Sequence, residues 1–257
     1  PGPLMLDVGL LVSGIAMVAV VWAAARWTSP GLFERNEVID RLTVPLVAGV
    51  LAGRLAAVVL DDTASLGSVR VLLVVRGGVE FWPGVAATAV ALVVGLRRSH
   101  CPQPALYAAV LSPYLLWVYA TYEVTCLLRD GCYGPASPVG LVPDGLSARQ
   151  FPVGVAAGLA VGVLGLVVHR LWALSPVTKI AVSVGGVAAI RAVASIWLPR
   201  LDDGLTRQHL QSVAVAVAVA AGLGVAHLAK RVRAGHEPPT VESAPSGSSP
   251  KPERTGP

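Results

Sequence analysis

Seven stretches of the chain are long and almost wholly apolar: residues 6–25, 44–60, 79–96, 105–126, 153–168, 177–198 and 213–229. A helix that crosses about 30 Å of hydrocarbon at 1.5 Å per residue needs roughly 20 such positions. Each stretch therefore predicts a membrane-spanning helix. Between them lie short polar segments rich in Gly, Pro and charge, the pattern of a polytopic bundle. The expected fold is all-α, with seven transmembrane helices. The first stretch ends in Ala23, Ala24 and Ala25, as a cleaved signal peptide can. No basic segment precedes it and Arg26 follows at once, so it is read as a retained helix.

Composition agrees with this pattern. Of 257 residues, 54% are hydrophobic and only 14% charged, where a soluble domain carries about 25% charged residues. An ordinary water-soluble enzyme, a secreted disulfide scaffold and a disordered chain are excluded. The net charge of +5 does not indicate nucleic acid, because no basic stripe is interleaved with aromatics. The Lys and Arg positions mark topology instead. With the N-terminus outside, Arg26, Arg35, Arg41, Arg97, Arg98, Arg170, Lys179, Lys230, Arg231 and Arg233 fall inside. Arg70, Arg76, Arg129, Arg149, Arg200 and Arg207 fall outside, beside Asp61, Asp62, Asp130, Asp144, Asp202 and Asp203. The N-terminus is thus expected to be periplasmic and the C-terminus cytoplasmic. Residues 1–233 form the membrane domain, with an external loop at 127–150. Residues 234–257, rich in Pro, Ser, Gly and Glu, are expected to be a disordered cytoplasmic tail.

The cysteines, Cys101, Cys126 and Cys132, are odd in number. Cys126 and Cys132 flank a short loop and could pair in an oxidising compartment. Nothing beside them has metal-ligand spacing, and no metal or organic cofactor is expected.

A few charges do not fit a topological role. Arg54 and Arg191 lie well inside their spans, where a charge costs about 2.5–3.5 kcal/mol and needs a partner. That partner is either a protein carboxylate, Glu80 or Glu123, or the phosphate of a lipid headgroup, which suits the planar fork of arginine. Gly154, Gly158 and Gly162 share one helical face and predict a packing surface.

Read in order, several segments resemble the prolipoprotein diacylglyceryl transferase family. Ala52 to Leu60, with Gly53-Arg54-Leu55, resembles the family's second-span G-[GA]-R-[IL]-G-Y-V-L. Gly77-Gly78-Val79-Glu80-Phe81-Trp82-Pro83-Gly84 resembles G-G-[LM]-S-F-H-G-G. Cys126 to Gly134, ending Gly131-Cys132-Tyr133-Gly134, resembles the end of the signature G-R-[IL]-G-[NC]-F-x-x-G-x-x-[YW]-G. Arg149-Gln150-Phe151-Pro152 resembles its R-H-P stretch, and Gly186 to Arg191 its sixth-span Y-G-x-x-R. Gln208, Gln211 and Ser212 fall where the family has Gln and Ser before its last helix. The resemblance covers about residues 4–230. There are departures: Glu123 falls at or near a family arginine, Trp82 at a histidine, Ala156 and Ala157 at a Tyr-Glu pair, and Ser195 at a glutamate.

The resemblance implies transfer of a diacylglyceryl group from phosphatidylglycerol to the cysteine of a prolipoprotein signal peptide. Such chemistry needs cations on the phosphate, a base for the thiol and a lipid-accessible cleft. Arg191 is the first phosphate candidate, with Arg54, Arg129 and Arg149 behind it. Glu80, Glu123 and His209 are the base candidates. Each has a plain alternative: Glu80 can cap a helix, Glu123 can pair with an arginine, and His209 can stand solvated in a loop. Gly131, Tyr133, Gly134 and Gln211 are the remaining substrate-binding candidates. If Glu123 pairs with Arg191, it neutralises the pocket, and the chain is then a non-catalytic lipid-binding or accessory protein on the same scaffold. A small transporter or channel has the least support, because no inverted repeat or acidic ring is present.

Overall fold

The computed structural model describes residues 8–28, 35–61, 79–129, 132–143, 147–171, 173–198 and 206–236. Among them are seven long helices: α1 (Val8–Thr28), α2 (Arg35–Asp61), α3 (Phe81–Arg98), α4 (Pro104–Val124), α5 (Val153–Arg170), α6 (Pro176–Trp197) and α7 (Arg207–His236). Each overlaps one of the expected apolar stretches. A 3-10 turn, Thr125–Arg129, extends α4. Among the described residues, the one departure from an all-α description is a short strand, β1 (Ala136–Leu141), which bridges antiparallel to Gln150.

Among the described residues, five helical segments are long and apolar enough to cross a membrane: Glu37–Leu60, Pro104–Leu128, Val153–Arg170, Pro176–Trp197 and Arg207–Ala229. Two of the seven expected spans fall short of that measure. The apolar part of α1 is the shorter Leu11–Trp27, and α3 holds Pro83, Arg97 and Arg98 within its 18 residues. The molecule is a helical, multi-pass membrane protein, and its surface agrees with a lipid solvent. On α2, Val44, Val47, Leu51, Leu55 and Val59 are exposed, while Gly49, Gly53, Arg54, Ala57 and Val58 are buried. Apolar side chains point outward because lipid is as apolar as leucine; association then rests on close backbone packing.

Glycine supplies that packing at two interfaces. A Cβ on Gly53 would lie 2.6 Å from the Glu80 carbonyl oxygen, and one on Gly49 would lie 2.9 Å from that of Gly84. The Gly53 carbonyl also accepts the Glu80 N–H at 3.0 Å, so α2 locks the start of α3. On α5, a Cβ on Gly158 would lie 2.7 Å from the Ala120 carbonyl oxygen and one on Gly154 would lie 2.9 Å from that of Glu123. The expected glycine face of α5 is thus the seat for the end of α4. Gly162 is looser, with its nearest neighbour, Ala120 Cβ, at 3.9 Å.

Helix α7 begins at Arg207, earlier than the expected span. The Thr206 hydroxyl accepts the His209 N–H at 3.2 Å, the bond of a threonine N-cap. Arg207, Gln208 and His209 therefore stand on a helix, which corrects their expected place in a loop. At its other end α7 runs to His236, past the expected start of the tail; 237–257 lie outside the described residues.

Candidate functional site at one end of the bundle

The starts of α3, α5 and α7 meet the ends of α4 and α6 at one end of the bundle. Helical spacing then decides which side chains converge. Tyr119 and Glu123 are four apart on α4, and Arg191 and Ser195 are four apart on α6, so each pair shares a face. Gln208, Gln211 and Ser212 share a face of α7 in the same way.

Arg191 is the centre of the cluster. Its Nη1 donates to Glu123 Oε1 at 3.1 Å and to the Tyr119 hydroxyl, and its Nη2 donates to Gln208 Oε1 at 3.2 Å. The Tyr119 hydroxyl in turn donates to Glu123 Oε1. The guanidinium lies over the Phe81 ring, 4.0 Å from its centroid, a cation–π contact strengthened by withdrawal from water. Of the two carboxylates expected as partners, Glu123 takes Arg191. Glu80 is held instead by Arg207 Nη2. Glu80 stands at the N-cap position of α3 but makes no side-chain capping bond, so the ion pair with α7 replaces the expected cap.

His209 is tied to α6. Its Nδ1 lies 2.8 Å from Ser195 Oγ. The Ser195 hydroxyl also donates to the Ala192 carbonyl at 2.8 Å, so Ser195 ties the imidazole to the α6 backbone. Nearby, Trp82 Nε1 donates to Ser212 Oγ at 3.1 Å, which fastens α3 to α7.

The segment that follows α4 is pinned to this end. Cys126 and Cys132 form a disulfide with Cα atoms 5.9 Å apart. Cys132 has φ +63°, a left-handed conformation that costs a β-carbon residue energy and that the crosslink helps to hold. The Gly134 N–H donates to the Phe151 carbonyl at 2.7 Å, and a Cβ there would lie 2.5 Å from Val153 Cγ2. Gly134 is therefore a packing position where loop, α5 and the end of α6 meet. Tyr133 is half-buried beside it.

Arg149 is exposed, and its carbonyl accepts from Ser137 N–H in the β1 pairing. Arg129 ends the 3-10 turn, and Gly131 lies outside the described residues. Arg54 is buried on α2, next to the Gly53 that binds Glu80. Gln211 faces the cluster from α7 without bonding Arg191. Two members were missed in the sequence: Tyr119, detectable from its four-residue spacing to Glu123, and Phe81, which sits inside the quoted motif.

A family model, prolipoprotein diacylglyceryl transferase, matches residues 8–225, from the first turn of α1 into α7. The chain belongs to the prolipoprotein diacylglyceryl transferase family. No curated protein matches it. The family is one of transferases acting on lipid and prolipoprotein substrates, and the polar cluster lies where the family motifs of α3, α6 and α7 converge. Two positions named above as departures from the resemblance join helices here: Trp82 bonds Ser212, and Ser195 bonds His209.

Proposed function

We propose that this transferase moves the diacylglyceryl group of phosphatidylglycerol onto the lipobox cysteine thiol of a prolipoprotein in a bacterial inner membrane. The observation that carries the reading is the Arg191 guanidinium, immobilised by Tyr119, Glu123, Gln208 and Phe81, with its Nε unpartnered and buried. That N–H is a ready donor to a phosphate oxygen. The thiol proton passes to a base, and sulfur attacks the glyceryl carbon that bears the phosphate. A C–S bond forms, the C–O bond breaks, and glycerol phosphate leaves with the electron pair, its charge stabilised by Arg191. Among the three base candidates, Glu80 and Glu123 are each already engaged in an ion pair with an arginine. The His209 ring is oriented by its bond to Ser195, and the proposal assigns the proton to it.

All seven helices cross the membrane in this reading, with the N-terminus periplasmic and the C-terminus cytoplasmic. The disulfide supports an oxidising, external location for the site end. Arg26, Arg41, Arg97, Arg98, Arg170 and Lys179 lie at the opposite helix ends, as an inside-positive bias requires. Residues 1–233 are the catalytic membrane domain and 234–257 a cytoplasmic tail.

The Glu123–Arg191 ion pair favours a second reading, in which the pocket binds lipid without transferring it. Purified protein in phosphatidylglycerol bilayers, given a lipobox peptide, separates the two. The proposal expects a peptide mass gain of one diacylglyceryl group, lost in Arg191→Ala and reduced about 100-fold or more in His209→Phe. Undiminished transfer by Arg191→Ala sinks the assigned role of that arginine.

A further inference from the structure

Three buried side-chain atoms in and around the cluster have no hydrogen-bond partner: Arg191 Nε, Gln211 Oε1 and Glu80 Oε2. They come from three different helix ends. Glu80 is 4% exposed, and only its Oε1 is used, by Arg207. Gln211 lies one turn along α7 from the Gln208 that binds Arg191. Glu80 precedes the Phe81 on which the Arg191 guanidinium rests. Unsatisfied buried groups are costly and uncommon in folded proteins. Three around one site point to a ligand that completes them.

Their chemistry constrains that ligand. Arg191 Nε is a donor and needs an acceptor, which a phosphate oxygen supplies. Gln211 Oε1 and Glu80 Oε2 are acceptors and need donors. A phosphodiester has no hydrogen to give, so the donors must come from the headgroup beyond it. A choline headgroup carries none. An ethanolamine headgroup carries all of its donors on one nitrogen, whereas the two acceptors stand on separate helices, and the Glu80 charge is already balanced by Arg207. A glycerol headgroup presents two separate neutral hydroxyls.

We propose that Glu80 and Gln211 are specificity residues that read the two hydroxyls of a polyol phosphodiester headgroup while Arg191 Nε holds its phosphate. The inference rests on the phospholipid reading above and names the part of the headgroup that this chain selects. Glu80 stands where the quoted family motif has serine.

The test measures headgroup selectivity independently of transfer. Purified protein in mixed bilayers is competed between phosphatidylglycerol, phosphatidylethanolamine and phosphatidylcholine, and the retained lipid is counted by native mass spectrometry. The wild type is expected to retain phosphatidylglycerol at least tenfold over either competitor. Gln211→Met, of similar shape without the acceptor, should cut that preference about tenfold, the worth of one buried hydrogen bond. Glu80→Gln, which places an amide donor beside the headgroup, should cut it similarly. A third arm needs no variant: soluble glycerol phosphate should displace bound phosphatidylglycerol from the wild type better than phosphoethanolamine or phosphocholine. A wild type without headgroup preference, or a preference that both variants leave unchanged, overturns the inference. Selective retention with no transfer to a lipobox peptide supports the inference and removes catalysis alone. Transfer with no headgroup preference does the reverse.

Discussion

Arg191 on α6 and Glu123 on α4 form an ion pair, Nη1 to Oε1 at 3.1 Å, with both side chains largely withdrawn from solvent. The pair is shared with Tyr119, which bonds both partners. It joins two helix ends and at the same time offsets the charge that the proposed function assigns to a phosphate. Both consequences are measurable. Glu123→Leu leaves the guanidinium uncompensated and should destabilise the protein by about 3–5 kcal/mol, read as a large drop in thermal midpoint in detergent. Glu123→Gln keeps the shape and a hydrogen bond, should cost less, and should strengthen retention of anionic phospholipid. Unchanged stability in Glu123→Leu would contradict a structural ion pair.

The α4–α5 interface rests on glycine in a graded way. A Cβ on Gly154 meets Cys132 Cβ at 2.7 Å and the Glu123 carbonyl at 2.9 Å, whereas one on Gly162 meets nothing closer than 3.9 Å. Gly154→Ala should therefore destabilise by about 1–3 kcal/mol through overpacking, and Gly162→Ala by less than about 0.5 kcal/mol. Equal midpoints for the two variants would show that α5 does not seat against α4 as described.

Cysteine chemistry reports on both the crosslink and the topology. Of the three cysteines, Cys101 is the free one and lies at the α3–α4 turn, at the end of the bundle opposite the disulfide. Alkylation of unreduced, denatured protein should add one label, and alkylation after reduction should add three. In oriented vesicles a membrane-impermeant maleimide should reach Ser99→Cys, on a Cys101→Ala background, from the cytoplasmic side alone. Labelling from the periplasmic side would invert the proposed orientation.

The helices were legible in the sequence because hydrocarbon imposes one rule: each crossing must be long, apolar and internally hydrogen-bonded. The glycine face of α5 and the Glu123–Arg191 pair were legible for the same reason, since a small residue or a buried charge inside a span has few functions open to it. The pairings across helix ends were less so. Glu80 and Arg207 are far apart in the chain, and Arg207 was expected in a loop, since the apolar run begins only at Val213. The Thr206 cap that starts α7 early carries little weight against hydropathy, yet it turns His209 towards Ser195. Tyr119 escaped notice because an apolar-looking aromatic in a span is usually packing or an interfacial anchor. Arg149 was drawn in by a motif match, and the β1 pairing leaves it exposed.

The most direct test of the account is transfer itself. Purified wild-type protein, bilayers of phosphatidylglycerol labelled with heavy isotope in its inner glycerol, and a lipobox peptide with a single cysteine are followed by mass spectrometry. The account predicts a labelled diacylglyceryl group on the peptide sulfur with one glycerol phosphate released per peptide. It predicts none when that cysteine is serine. Intact, tightly bound phosphatidylglycerol with no labelled peptide would contradict it and leave a lipid-binding relative on the transferase scaffold.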